Sequence, residues 1–444
     1  HAFDWEHPDA PGNDWEYKNP GGDLNLFGGR DWYDLHPDLL EKAKKYVDEK
    51  AIPQIRELLT KYHPDILWFD TPHKLPLSEN IRILKAIREV DSNVVVNGRL
   101  VRFSNENFGD YKNTADRPAE FFPTTGDWEA IPTTNESYGY SKFDNSHKPV
   151  AHFIRLLATA ASKGGNLLMN IGPMGDGAFD KKDLLILDGI GNWLKKNGQS
   201  IYGTKAAPLP YHSWGVSTVK GNKIYLHVFN WPADGKLYVS SAVQISNGYF
   251  LSDPTKKVNV TKTKDGDNLL ILPKSAPDSI NTVLVFDWKE ANKKDVSHLV
   301  VPNTKLERFL SFDAMQSGKG FGYGDGKTDR YYTEGWKSKE QYLYWPFRSI
   351  ASPGQQFKVI IKYLAPAESS GGEYAVIIED DAKELFKTVQ TVTTDPKSST
   401  VITKEIGTVS LKQGKQNLKI VAQSIAKTEL MKLLEIQLIP IDKQ

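Results

Sequence analysis

Cysteine is missing from all 444 residues, and that absence removes disulfides, thiolate metal sites and cysteine nucleophiles together. It leaves the compartment open, because exported bacterial proteins often lack cysteine too. Long apolar runs are also missing: none reaches the ~18 residues that a spanning helix needs, so no membrane insertion is expected. The opening HAFDWEHPDAPGNDWEYKNPGG carries no Met, no basic leader and no apolar h-region, so no targeting signal can be read. A surplus of charge is absent as well. With 56 Lys and Arg against 55 Asp and Glu the balance is +1, there is no basic stripe, and a nucleic-acid partner finds no support.

What is plentiful is aromatic: 11% of the chain, with 11 Trp and 19 Tyr. Such rings offer flat apolar faces to the C–H faces of sugars, and they serve large cores equally well. The length exceeds what one core sustains, so two or three domains are expected.

Residues 1–35 read as a polar, aromatic loop dense in Gly, Pro, Asn and Asp. From Pro37 to Tyr62 the apolar positions take a helical period, and Ile66–Phe69 follows as a short buried strand. Ser78–Glu89 reads as an amphipathic helix with Ser78 as its N-cap, then Ser92–Arg99 as a buried valine run. A strand and loop around 126–132, a helix over His152–Ala161, an apolar run at Gly165–Ile171 and a helix over Asp183–Asn197 stopped by Gly198 complete this part. Strands alternating with helices point to βα units on a parallel sheet. About four such units make roughly half of a (β/α)8 TIM barrel. A half barrel would leave open edges, so the chain is expected to lack its early strands.

Beyond Leu209 the segments become short and rich in Val, Ile and Tyr, with turns at Lys220-Gly221-Asn222 and Asp265-Gly266-Asp267. They predict an antiparallel β-sandwich. The charged stretch Lys289–Asp295 reads as a linker, and residues 298–444 as a second sandwich of jelly-roll type. The expected division is therefore a catalytic α/β domain at 1–205, a β-sandwich at 206–290, a linker at 291–297 and a β-module at 298–444.

The chemistry candidates begin with Asp70 in DILWFDTP, an acid closing an apolar strand. It suits a turn before Thr71-Pro72, a metal, or attack on a substrate, since barrel strands present catalytic groups at their carboxyl ends. Glu129 in GDWE is a second acid beside an aromatic, Trp128, and two carboxylates from separate strand ends are what glycoside hydrolysis requires. Asp127 and Glu136 lie close in sequence, so residue chemistry alone does not choose the acid. His1, His7, His36, His63, His73, His147 and His152 are available, yet neither an HExxH helix nor an Asp-rich calcium loop occurs, and no metal site is expected. GNLLMNIGPMGDG lacks the spacing of a phosphate loop; there Asn170 is expected to fix backbone.

Taken together, LWFD (67–70), NGR (97–99), DWE (127–129), ESYGY (136–140) and GGNLLMNIGPMGDG (164–177) resemble the α-L-fucosidases of glycoside hydrolase family 29. NWLKKNGQSIYGT (192–204) is similar to that family's last barrel helix and its turn into a sandwich. The resemblance implies a retaining exoglycosidase acting on a fucosylated oligosaccharide or glycoconjugate, without cofactor. It implies Asp70 as nucleophile, Glu129 as acid/base with Glu136 in reserve, and Trp68 against the fucose methyl. Arg99 would bind a sugar hydroxyl beside Asp70, with Trp128, His1 and Trp5 near the sugar. It favours a periplasmic or extracellular location. The family's His-Trp strand end and His-His-Asp segment do not occur here, so the chain is expected to begin after them. On its own it is expected to show little or no activity. The last module resembles sugar-binding jelly rolls, with Trp336, Tyr344 and Trp345 as stacking candidates or core residues.

Overall fold

The computed structural model describes residues 37, 40–70, 75–103, 106–291, 297–381, 383–395 and 400–441. The loop expected at 1–35, with His1 and Trp5, and most of the 291–297 linker lie outside these residues. The chain divides into two compact units: 1–114 with 125–129, and 115–124 with 130–444. Among the described residues no helix is long and apolar enough to cross a membrane.

In the first unit, α1 (Leu40–Tyr46) runs through a π turn at Val47–Ala51 into α2 (Ile52–Lys61). Pro53 explains the π turn. It has no N–H to give to Glu49, and the Ile52 amide reaches back five residues to the Val47 carbonyl instead. Strand β1 (Ile66–Leu67) follows, then α3 (Leu77–Val90) and β2 (Val95–Val96). β1 and β2 pair in parallel, Ile66 opposite Val95 and Leu67 opposite Val96, as a βαβ unit requires. Ser78 is not the cap of α3. Pro76 precedes the helix at φ −56°, ψ 145°, makes no side-chain cap, and leaves Ser78 inside the first turn. The hydrophobic faces of α2 and α3 close on the strands through Ile55, Leu59, Ile83, Ile87, Val94 and Val96. A short hairpin of β3 (Arg102–Phe103) and β4 (Glu106–Asn107) precedes β5 (Lys112–Asp116) and β6 (Trp128–Ile131).

The second unit holds α4 (Val150–Ser162), β7 (Asn166–Leu167) and α5 (Lys181–Asn197). Asp180 caps α5 by accepting the Lys182 amide at 2.9 Å. Gly198 does not stop the helix in a left-handed turn. It keeps φ −55° and continues into a 3-10 turn, and a Cβ there would meet the Tyr202 ring at 2.8 Å.

Eight strands then form one antiparallel sheet: β8 (Lys205–Ala206), β9 (Gly215–Lys220), β10 (Lys223–Val228), β11 (Lys236–Val239), β12 (Val243–Phe250), β13 (Asp253–Lys262), β14 (Asn268–Ile271) and β15 (Thr282–Glu290). Their order is β11-β14-β13-β12-β15-β10-β9-β8. β10 is buried on both faces. Ile224, Leu226 and Val228 enter the sheet's own core, while Tyr225 meets Ile154 of α4 and Trp193 of α5. Lys289 and Glu290 finish β15, so the charged stretch begins as strand.

Beyond residue 297, two six-stranded sheets share one core. One contains the strands Tyr342–Ser349, Glu373–Glu379 and Gly414–Ser424, the other Gln356–Leu364, Ile402–Ser410 and Lys432–Pro440. Trp336 and Trp345, at 0% and 3% exposure, are core residues and offer no ring to a ligand, while Tyr344 turns to the opposite side of its strand.

Candidate active site

The site is assembled where β1 ends. Past Leu67 the strand pairing is continued by a side chain. Asn97, fully buried just after β2, accepts the Phe69 amide through Oδ1 and donates Nδ2 to the Phe69 carbonyl, both at 2.8 Å. An amide carries a donor and an acceptor in peptide-like array, so it can stand in for a strand partner. With Phe69 fixed, the two-residue alternation of extended chain sends Trp68 and Asp70 to one side. Arg99 meets both. Its Nη1 donates to Asp70 Oδ1 at 2.9 Å, and its guanidinium lies 5.4 Å from the Trp68 ring centroid.

Glu129 comes in from β6. Its Oε1 accepts the Trp68 indole N–H at 2.6 Å and the Asn113 amide at 2.5 Å. Asn113 is itself held, accepting a 3.1 Å bond from Asn97 Nδ2. Tyr111 hydrogen-bonds the same carboxylate; burial, with the nearby negative charge of Glu129, raises its phenol pKa well above the ordinary value. The Thr114 hydroxyl donates to the Glu129 carbonyl at 2.9 Å and pins the backbone. The indole thus bonds Glu129 and lies beside the guanidinium that holds Asp70, so one carboxylate faces a cation and the other neutral donors. Trp68 is 39% exposed, so part of its ring stays open to a ligand.

Of the residues singled out in the sequence, Asp70, Arg99, Trp68 and Glu129 are brought together. Trp128 is not with them. At 2% exposure it is packed inside, on the face of β6 opposite Glu129, and it cannot line a sugar pocket there. Glu136 belongs to the other unit, where Lys148 at 2.9 Å and Arg117 at 3.3 Å engage it. The Lys148 hydrogen bond, with the two positive charges, lowers its pKa below the usual glutamate value, which suits a structural anion better than a proton donor. His1 and Trp5 fall outside the described residues. Asn97, Tyr111 and Asn113 support these side chains, and sequence reasoning assigned none of them that part. The only signals were an amide closing the valine run and a two-residue alternation in Tyr111-Lys112-Asn113.

In the second unit, Asn170 does fix backbone: its Nδ2 donates to the Tyr138 carbonyl at 2.8 Å and to Thr133 Oγ1 at 3.2 Å. Gly172 is required by the same loop, since a Cβ would lie 2.1 Å from the Tyr140 nitrogen. Among the described residues no group of three or more His, Cys, Asp or Glu side chains converges on a metal-sized space.

A family model described as Alpha-L-fucosidase matches residues 1–199. The tissue α-L-fucosidase of Homo sapiens is 29% identical over 217 residues, 46% of this chain and 46% of that protein. An α-L-fucosidase of Dictyostelium discoideum is 27% identical over 208 residues, 45% of each. The chain thus spans about half the length of these curated relatives. Among solved structures, α-L-fucosidase isoenzyme 1 from Paenibacillus thiaminolyticus is similar with TM-score 0.50 and 29% identity, covering 65% of this chain and 70% of that one. An α-L-fucosidase from a Vibrio species reaches TM-score 0.65 over 89% of this chain and 70% of its own, at 22% identity, a likeness of fold alone. Over residues 1–199, the chain is therefore similar to the α-L-fucosidases.

Proposed function

We propose that this chain carries the two catalytic carboxylates of a retaining exoglycosidase that removes terminal α-L-fucosyl residues from glycans through a covalent fucosyl-enzyme intermediate. The observation that carries the reading is the Trp68 junction, with Asp70 held by Arg99 on one side and Glu129 held by the indole on the other. Asp70 attacks the anomeric carbon through Oδ2, the oxygen opposite the one Arg99 grips. Glu129 gives a proton to the departing oxygen, then takes one from the water that releases fucose. Two carboxyl groups about 5–5.5 Å apart serve this sequence, because no water need fit between nucleophile and sugar in the first step. The open part of the Trp68 ring favours a methyl over a hydroxymethyl, whose hydroxyl would be buried without a partner.

The parallel strands are read as the later part of a (β/α)8 barrel ending near residue 205. The eight-stranded sheet to 290 is read as a β-sandwich, and residues 298–444 as a jelly-roll module. The test uses the gene product at its natural length with aryl α-L-fucosides. Asp70→Gly is expected to abolish turnover, and azide to restore it with β-L-fucosyl azide as product. An α-azide would remove Asp70 from the role, and hydrolysis of another aryl glycoside with none of the fucoside would remove the substrate.

A further inference from the structure

A second pocket, of about 460 Å³, lies wholly within the second unit, bounded by the end of α4, the start of the eight-stranded sheet and the C-terminal sandwich. Its volume falls in the ~300–1,000 Å³ range of small-molecule sites. The walls are of two kinds. One is aromatic and apolar: Tyr211, Trp345 and Met315, with the Tyr211 ring tilted by 39° against His298 at 4.5 Å between centroids. The other is charged: Lys163, Asp313 and Arg308.

The charged groups are already partnered. Lys163 Nζ lies 3.2 Å from Asp313 Oδ1. Arg308 meets Glu120 at 2.7 Å and Glu435 at 2.6 Å, and Lys362 meets Glu435 at 3.2 Å. These three cations and three carboxylates are paired, and a fourth carboxylate, Glu307, is hydrogen-bonded to His298 of the lining at 2.7 Å, so a ligand bearing net charge would have to break an existing pair or bind uncompensated. Yet hydrogen-bonding capacity remains. The Lys163 ammonium and the Asp313 carboxylate are each about a third exposed, at 32% and 36%. Burial works against the Lys163 charge, but Asp313 and Glu120 outweigh it and raise its pKa above the ordinary lysine value. A donor and an acceptor side by side, facing aromatic walls, match a molecule with vicinal hydroxyls on an apolar ring.

We infer that this pocket is a second, non-catalytic site for a neutral saccharide, its hydroxyls on Lys163 and Asp313 and its C–H face on Tyr211. The inference is independent of the activity proposed above, because it is read by binding and not by turnover.

Calorimetry on the full chain tests it, with L-fucose and lactose as probes and inorganic sulfate and spermidine as charged controls. One or both sugars should bind saturably at millimolar concentration, with quenching of the indole fluorescence, while neither control binds. Val216→Phe, which fills the pocket from β9, should weaken sugar binding by about tenfold or more. Lys163→Gln with Asp313→Asn keeps the charge balance and should weaken it too, which covers the case in which the filled variant does not fold. Asp70→Gly should leave binding at this pocket, read with lactose, unchanged. Flat sugar isotherms, binding that survives both pocket variants, lactose binding lost with Asp70→Gly, or a preference for sulfate or spermidine would each overturn the inference.

Discussion

At the scale of single residues, the roles of three acids separate by the company each keeps. Asp70 faces a guanidinium, Glu129 faces an indole, an amide and a phenol, and Glu136 faces two cations. Only a group between neutral donors can shed and regain a proton without breaking an ion pair. Replacing Glu129 with Ala is therefore expected to harm fucosides with poor leaving groups most, because activated aryl fucosides need little protonic help. Comparing kcat/KM across a leaving-group series measures this, and equal damage throughout would move the acid elsewhere. Glu136→Gln should behave differently, leaving neutral-pH turnover in place. The sign for stability follows from its depressed pKa: the ion pairs contribute above the unfolded value and are lost as pH falls through the folded one. Since its side chain is 53% exposed, the contribution stays below about 1 kcal/mol. Glu136→Gln should accordingly flatten the acid limb of a stability-against-pH curve slightly; a large loss of turnover would return Glu136 to the reaction.

At the scale of elements, burial patterns decide both what titrates and what could be read in advance. His227 on β10 and His212 before β9 are held neutral; burial brings each imidazole pKa down to about 4. Asn281 on one side of His227 and Pro210 beside His212 supply hydrogen bonds in that state. Unfolded histidines take up protons near pH 6.5, so stability falls as pH drops from there toward 4, by up to roughly 1.4 kcal/mol per pH unit for each. Urea midpoints at pH 7 and pH 5 should show the loss, and His227→Gln should reduce its slope; an unchanged slope would mean the ring is protonated inside the sheet. His227 sits in a strand that was legible in the sequence, since the apolar residues of β10 recur at every second position. β13 escaped notice because Asp253–Lys262 is almost wholly polar, with Val258 its one fully buried side chain. The same alternation carried information at the site. Trp128 and Glu129 are adjacent in a strand, so they could not both face a sugar, and the buried one is the Trp. Asn97, Tyr111 and Asn113 stayed hidden for another reason: their partners lie 16 to 28 residues away and only folding supplies them.

At the scale of the whole molecule, the question is how the two β-rich parts of the second unit depend on each other. Composition suggested separate sandwiches joined by a charged linker, yet a buried ion pair runs between them. Arg348, in the strand Tyr342–Ser349, makes paired bonds of 2.8 and 2.5 Å to Asp267, in the turn between β13 and β14. The Asp267 side chain is fully buried, and its Oδ1 also accepts the Ser241 amide at 2.9 Å. A pair of this kind adds little net stability when compared with apolar packing, but removing one partner strands the other in a medium that cannot solvate it. Arg348→Met should therefore cost about 3–5 kcal/mol. Adding Asp267→Asn, which removes the stranded charge and keeps an acceptor for Ser241, should recover part of that loss. Multi-domain chains need not unfold in one step, so urea unfolding should be followed by tryptophan fluorescence and by amide exchange in both sheets. If the pair couples the modules, Arg348→Met lowers protection in β13 and β14 as well as in its own strand. Protection reduced only around residue 348 would mean that the two sandwiches fold as neighbours without depending on one another.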